Sequence, residues 1–317
     1  MSKCNGPWSF NEVASIYKQP FNDLIYAAHT IHRENNSPNS LQLAKLLSIK
    51  TGACPEDCGY CSQSGHHSTH VEKEKLMSVE QVLAKAAEAK ENGAKRFCMG
   101  AAWRCPPTKV MPELQAMIEG VKALGLESCM TLGMLDPEQA KALKEAGLDY
   151  YNHNIDTSPS YYEKVVTTRR FSDRLETINN VRQAGINVCC GGILGLGESR
   201  DDRIEFLLTL VNMETPPESV PINRLIPVEG TPLAKAKQVE GIELVRTIAT
   251  ARILMPKSAI RLTAGRTEMS DELQALCYFS GANSVFIGNI LLTEENPQRD
   301  QDKSLFQKLG LKAFEDA

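Results

Sequence analysis

A parallel β/α barrel of the TIM type is the fold this sequence predicts, and three observations predict it. Helix-forming stretches close on glycine at positions 93, 125, 147, 185 and 281. A short apolar or β-branched run follows each of those glycines. About eight such units fit into about 250 residues, the size of a (β/α)8 barrel. The strand-like runs are SLQLAKLLSIKTG (40–52), RFCMG (96–100), LESCMTLG (126–133), YYNHNI (150–155), INVCCGG (186–192), VPINRLI (220–226), AIRLTAG (259–265) and SVFIG (284–288). A doubly wound open sheet is the alternative. GGILGLGE (191–198) lacks the GxGxxG order of a dinucleotide-binding turn.

The elements follow in chain order. Residues 1–39 read as an N-terminal helical extension, because Phe21, Leu24, Ile25 and Ala28 form one apolar stripe at helical spacing. The barrel is assigned to 40–290. Within it, Ser78 with Gln81 makes a capping box, and Val79, Val82, Leu83 and Ala86 mark the buried face of the helix that Gly93 ends. Asp136-Pro137 opens a further helix that ends at Gly147. Residues 291–317, which include the polar run EENPQRDQDKSL, read as an irregular C-terminal tail.

Composition narrows the class. The chain has 317 residues, 42% hydrophobic and 23% charged, with a formal net charge of −4. A disordered chain would be poorer in apolar residues, and binding to nucleic acid through bulk electrostatics calls for a basic patch. No stretch approaches the roughly 18 apolar residues of a membrane span. The opening MSKCNGPWSFNEV has no apolar core of signal-peptide length. A cytoplasmic protein with no membrane or nucleic-acid partner is expected.

Ten cysteines are too sparse for a disulfide-built secreted domain. In a reducing compartment they are buried small hydrophobes, metal ligands or catalytic groups. Cys54, Cys58 and Cys61, in TGACPEDCGYCSQ, have CxxxCxxC spacing just after the first strand, where barrel loops open on the catalytic face. Three thiolates this close can share one soft metal centre. Structural zinc wants a fourth protein ligand, for which His66, His67 and His70 are candidates. A [4Fe–4S] cluster can be held by three cysteines, leaving one iron open.

Cys98, Cys129 and Cys189 lie four or five residues after the closing glycine of the preceding helix, each inside a strand. Buried structural cysteine is the ordinary reading for any one of them. Three at one level can instead converge on a second metal centre, because inward residues of different barrel strands meet in layers. Arg261 occupies the matching level on the seventh strand. Cys190 faces away from Cys189 by strand alternation, Cys277 has core spacing with Leu273 and Leu276, and Cys4 and Cys105 carry no role. By the same alternation, His153 points away from the side of the strand that bears Asn152 and Asn154.

CxxxCxxC with Tyr60 before the last cysteine resembles the signature of the radical S-adenosylmethionine (SAM) enzymes. The further segments KRFCMGAAWR, YYNHNIDTS, VCCGGILGLGE, NRLIPVEGTPL and IRLTAGR, in order across the chain, resemble the biotin synthase family in particular. That resemblance implies a [4Fe–4S] cluster on Cys54, Cys58 and Cys61, whose open iron chelates SAM. One electron then releases a 5′-deoxyadenosyl radical that takes hydrogen from an unactivated C–H bond. It implies a sacrificial [2Fe–2S] cluster on Cys98, Cys129, Cys189 and Arg261, and sulfur insertion converting dethiobiotin to biotin. It implies SAM contacts from Tyr60, Asn154, Asp156, Arg174, Ile193 and Ile226, and substrate contacts from Asn152, Asn154 and Asn223. A one-electron donor protein and a homodimer are the partners it implies. Two alternatives stand beside it. Lipoyl-synthase-like sulfur insertion would need a second N-terminal cysteine cluster, and only Cys4 precedes Cys54. A zinc-stabilised binding protein would leave the strand cysteines as coincidence.

Overall fold

A computed structural model of the chain describes residues 7–313. Cys4 lies outside them. Parallel strands β1 (Ser40–Lys50), β2 (Arg96–Ala101), β3 (Glu127–Thr131), β4 (Tyr150–Asn152), β5 (Asn187–Cys189), β6 (Gly192–Leu194), β7 (Ser219–Arg224), β8 (Ala259–Leu262) and β9 (Ser284–Phe286) form the sheet. It runs β1-β2-β3-β4-β5-β7-β8-β9, with β6 also on β7, and closes through β1 on β9. Eight staves make the barrel, because β5 and β6 are two pieces of one stave. The run predicted as a single strand over 186–192 is interrupted at Cys190-Gly191. The first piece pairs with β4 and the second with β7 beyond the break.

Glycine is required at that break. A Cβ on Gly191 would lie 1.9 Å from the carbonyl oxygen of Pro221, and one on Gly192 would lie 2.4 Å from that of Asp156. Backbone touches backbone here, and neither neighbour is a side-chain end that could swing away. Gly191→Ala will therefore destabilise the chain by about 1–3 kcal/mol or more. An unchanged midpoint in urea unfolding would contradict this.

Helices α3 (Val79–Glu91), α4 (Met111–Ala123), α5 (Pro137–Glu145), α6 (Phe171–Gln183), α7 (Arg200–Val211), α8 (Gly241–Leu254) and α9 (Asp271–Phe279) follow the staves and ring the barrel. Both predicted capping boxes form: Ser78 with Gln81 at α3, and Asp136 with Gln139 at α5. The closing glycines 93, 125, 147, 185 and 281 all take positive φ, from +76° to +110°. The main core lies between barrel and helices, and it takes in Cys190 and Cys277. No helix among the described residues is long and apolar enough to cross a membrane.

The N-terminal helices α1 (Phe10–Tyr17) and α2 (Phe21–Asn35) dock against α7 and α8. His32 on α2 is buried there, its Nδ1 without a hydrogen-bond partner. Burial, reinforced by the Arg252 charge, pushes its pKa down to about 4. The unfolded chain binds this proton near pH 6.5. Between those values the unfolded state carries more protons, so stability rises with pH across the window and is lost as pH falls through it. Melting temperature will drop between pH 6.5 and 4, and His32→Gln will flatten part of that drop. An equally steep drop in the variant would refute the assignment.

The C-terminal segment is not the irregular tail its polarity predicts. Helix α10 (Arg299–Leu309) ends on Gly310 in the left-handed conformation, and Lys312–Ala313 adds a strand parallel to the start of β1. Buried Arg266 pairs with Asp302 of α10 and fixes the helix to the loop after β8. Polar composition misled because only one stripe of α10, including Asp302 and Leu305, is buried.

Candidate active site

Side chains inside the barrel stack in layers that the strand register sets. Cys98 is the Cα partner of Cys129, and Asn152 is the partner of Cys189. All three thiols are buried, as is Arg261. Cys98 and Cys129 hydrogen-bond to each other. Burial alone would push the Cys98 thiol up, but that hydrogen bond and the charges of Arg261 and Arg96 bring it down. Cys129 is pushed up, first by the bond to Cys98 and then by burial. Arg261 donates from Nε to Ser284 Oγ at 2.8 Å and from Nη2 to Gln42 Oε1 at 3.1 Å. Its hydrogen-bond partners are neutral, so a thiolate-bearing group suits it.

Asn152 sits beside Cys189, with Nδ2 3.3 Å from its Sγ. The same Nδ2 donates to Asn154 Oδ1 at 3.2 Å, and Asn154 Oδ1 also accepts from the Gly191 amide. Asn223 of β7 donates to Gly192 O at 3.0 Å and accepts from Thr263 Oγ1 at 2.6 Å. Asp156 forms a buried ion pair with Arg174, whose Nε donates to Tyr162 OH at 2.9 Å. Asp156 has φ +65°, a left-handed conformation uncommon for a residue with a Cβ. Its carbonyl accepts from Ile193 N at 2.8 Å, joining the two predicted cofactor-binding positions through the backbone.

The loop after β1 carries Cys54, Cys58 and Cys61. Gly52 and Ala53 turn it with positive φ. Cys54 N donates to Gln63 O, and Gly65 N donates to Cys54 O, so the loop folds back on itself. Asp57 stitches it to the segment before α6: burial would raise its carboxyl, but hydrogen bonds from Thr167 and Thr168 hold it down to about 2. Burial pushes the Cys58 thiol up to about 11 and Cys61 up to about 12. Arg169 Nη2 stands 3.7 Å from Cys58 Sγ. The ring Nε2 of His66 is 3.0 Å from Pro55 O, and that of His67 is 3.0 Å from Cys58 O. These histidines bind backbone carbonyls instead of completing a zinc shell. Among the described residues no three Cys, His, Asp or Glu side chains already stand as a metal-holding group. The donor set of the loop is three soft thiols without a fourth protein ligand, which fits a cluster with one open iron.

One cavity of about 320 Å³, at the C-terminal ends of the strands, brings the predicted positions together. Cys54, Cys58, Tyr60 and Cys61 form one wall; Asn152, Asn154, Asp156 and Arg174 form another. Ile193, Asn223 and Ile226 line it too. Cys98, Cys129, Cys189 and Arg261 are absent from its lining; Cys189 is the register partner of Asn152, and Cys98 and Cys129 fall in the row of Tyr150.

Three features of the wall escape sequence reasoning. His153 is among the residues that line the cavity, although it keeps the Tyr151 side of the strand, where the two rings stack with centroids 6.3 Å apart, while Asn152 and Asn154 bond to each other on the opposite side as strand alternation predicts. Its Nε2 is buried without a partner, and burial, followed by the Arg174 and Arg169 charges, pushes its pKa down. Arg169 is a second lining residue. The third is the segment Leu291–Glu294, where Ser62 Oγ meets Thr293 Oγ1 at 2.9 Å and Glu294 Oε1 at 2.8 Å. The apolar run before the polar tail was the available signal.

Residues 48–210 match the Radical SAM superfamily, and residues 221–312 match the Biotin and Thiamin Synthesis associated domain. The chain is 82% identical over 311 residues to a biotin synthase of Legionella pneumophila (strain Corby), covering 98% of this chain and 99% of the relative. It is 62% identical over 308 residues to a biotin synthase of Brucella ovis, covering 97% and 94%. Among solved structures, methylornithine synthase superposes with a TM-score of 0.81 at 17% identity, covering 98% of this chain and 95% of that one. An FeFe-hydrogenase maturase from Carboxydothermus hydrogenoformans gives 0.81 at 17%, covering 97% and 76%. At such identities these two speak for the fold alone.

Proposed function

The chain belongs to the biotin synthase family of radical SAM enzymes, and from that premise we propose how its own residues divide the work of turning dethiobiotin into biotin. It is a sulfur-inserting enzyme that uses SAM and a [4Fe–4S] cluster, acts on a small molecule and needs a reductant. The observation that carries the residue assignment is the stacking of the Cys54/Cys58/Cys61 wall, the asparagine wall and the inner cysteine layer along one barrel axis.

Cys54, Cys58 and Cys61 would hold the [4Fe–4S] cluster, and Cys98, Cys129, Cys189 and Arg261 would hold a [2Fe–2S] cluster. When bound, the first supplies the electron that cleaves SAM and the second supplies the sulfur atom. Tyr60, Asp156, Arg174, Ile193 and Ile226 form the SAM side of the cavity. Arg174 occupies one carboxylate oxygen of Asp156, which fixes the group and leaves the other for ribose hydroxyls. Asn154 accepts through Oδ1 from Gly191 and Asn152, so its amide hydrogens are left to donate to the ureido carbonyl. Asn152 anchors that arrangement to the Cys189 layer. Asn223, with its oxygen held by Thr263, keeps an N–H for the substrate carboxylate. Sulfur held beside the substrate meets the proximity requirement of the radical steps.

Within the N-terminal extension 1–39, α1 and α2 brace α7 and α8; the barrel 40–290 houses the chemistry; and within the tail 291–317, Leu291–Glu294 line the cavity edge. We assign the chain to the cytoplasm, as a homodimer served by a one-electron donor protein, on family membership.

Anaerobic reconstitution followed by iron and sulfide analysis, with Mössbauer and EPR spectra, tests the two-site assignment. Both a [4Fe–4S] and a [2Fe–2S] signature are expected. Zinc alone, or a single [4Fe–4S] species, would refute it.

A further inference from the structure

At the N-terminal end of the barrel lies a second cavity, of about 840 Å³, distinct from the one that holds the asparagine wall. It is lined by Ser40 and Gln42 of β1, Arg96 of β2, Tyr150 of β4 and Ala259 of β8, each at or near the start of its strand. Arg96 is 1% exposed, its Nε donates to Glu127 at 2.9 Å, and its guanidinium carbon lies 3.3 Å from the centre of the Tyr150 ring. Its Nη1 has no hydrogen-bond partner. A buried charged donor left unsatisfied is costly, and it marks a place where a partner belongs. Two residues along the same face of β2 is Cys98, and Gln42 is bonded to Arg261. The cavity therefore shares Arg96 with the strand that carries Cys98, and Gln42 with the hydrogen bond that holds Arg261.

The charges around it favour an anion. Arg252 is fully buried, donates to Gly281 O, Pro256 O, Ser258 O and Asn283 Oδ1, and pairs with no carboxylate among the described residues. Exposed Lys257 stands on the rim. Of the nearby acids, Glu127 is held by Arg96 and Gln42, and Glu218 by Arg182.

We propose that this N-terminal mouth is an anion-binding port, in which Arg96 Nη1 holds hydrosulfide on its way to the Cys98/Cys129/Cys189 layer. The inference rests on the inner-cluster reading above. It gives sulfur a route that does not pass through the cavity occupied by SAM and dethiobiotin. A spent inner site is thus supplied from the barrel end that catalysis leaves free.

The test uses the full chain carrying only its first cluster, saturated with SAM and dethiobiotin and without reductant. Ferric iron and inorganic sulfide are added anaerobically, so that two ferric ions and two hydrosulfides give the oxidised cluster and two protons, and growth of the inner-cluster absorption is timed. The rate should stay close to that of the ligand-free chain. Arg96→Gln should slow it about tenfold, since removing one focusing charge lowers the local anion concentration by about that factor. Arg96→Lys should restore most of the rate, and Lys257→Glu, on the exposed rim, should slow it without touching the core. A rate abolished by the two ligands, or unchanged in both Arg96→Gln and Lys257→Glu, would overturn the port. Failure of any second cluster to form in the unsubstituted chain, with Cys98, Cys129 and Cys189 all remaining open to alkylation, would overturn the inner-cluster reading itself.

Discussion

Cys54→Ala will abolish SAM cleavage while leaving the fold intact. Cys54 is only partly buried, and its ties to the loop are backbone hydrogen bonds to Gln63 and Gly65, which alanine keeps. Its truncation should cost about 0.5 kcal/mol, as for other surface-type substitutions. The chemistry has no such reserve. Two cysteines remain where three must leave one iron open, and neither His66 nor His67 is free to replace the third, since both rings engage backbone carbonyls. Release of 5′-deoxyadenosine, measured by chromatography under reducing anaerobic conditions, should fall to background, with circular dichroism unchanged. Cleavage at even a tenth of the normal rate would mean that the loop does not hold the reactive centre.

Cys129→Ala will separate the two halves of the reaction. Cys129 is fully buried between Cys98 and Tyr150 in the strand register. Removing its sulfur leaves a small cavity, and a cost of about 1 kcal/mol is expected. The loop cysteines line a different cavity, so the first cluster and SAM cleavage should persist. Biotin should not form. Uncoupled 5′-deoxyadenosine without biotin is the expected signature, read by mass spectrometry of the products. Biotin from this variant would make the strand cysteines structural. Cys190→Ala is the matched control, because Cys190 packs outward into the helix-facing core and should cost stability without touching sulfur insertion.

Much of this arrangement was legible in the chain. Glycine-closed helices alternating with short strands give the barrel, because each closing glycine takes a positive φ that other residues avoid. Strand period puts Cys98 and Cys129 on one face as register partners, and Cys189 beside Asn152 two residues further along the sheet. What was not legible depends on breaks in regular structure. His153 reaches the cavity wall from the Tyr151 side of its strand, a contact made by loop packing that strand period does not mark. The division of 186–192 into two pieces follows from a backbone contact between Gly191 and Pro221, residues thirty positions apart, which no local pattern records. Polar α10 and the cavity-lining Leu291–Glu294 are held by Arg266–Asp302 and Ser62–Thr293, pairs that only the closed barrel brings together.

The central claim is that the sulfur inserted into the product comes from a group held by Cys98, Cys129, Cys189 and Arg261. The most direct measurement is a single turnover of chain whose inner site has been rebuilt with heavy-isotope sulfide, followed by mass spectrometry of the biotin and Mössbauer spectroscopy of the protein. One heavy sulfur in each biotin is expected, with loss of the [2Fe–2S] signal while the [4Fe–4S] signal persists. Unlabelled biotin, or an inner signal that survives turnover undiminished, would contradict it.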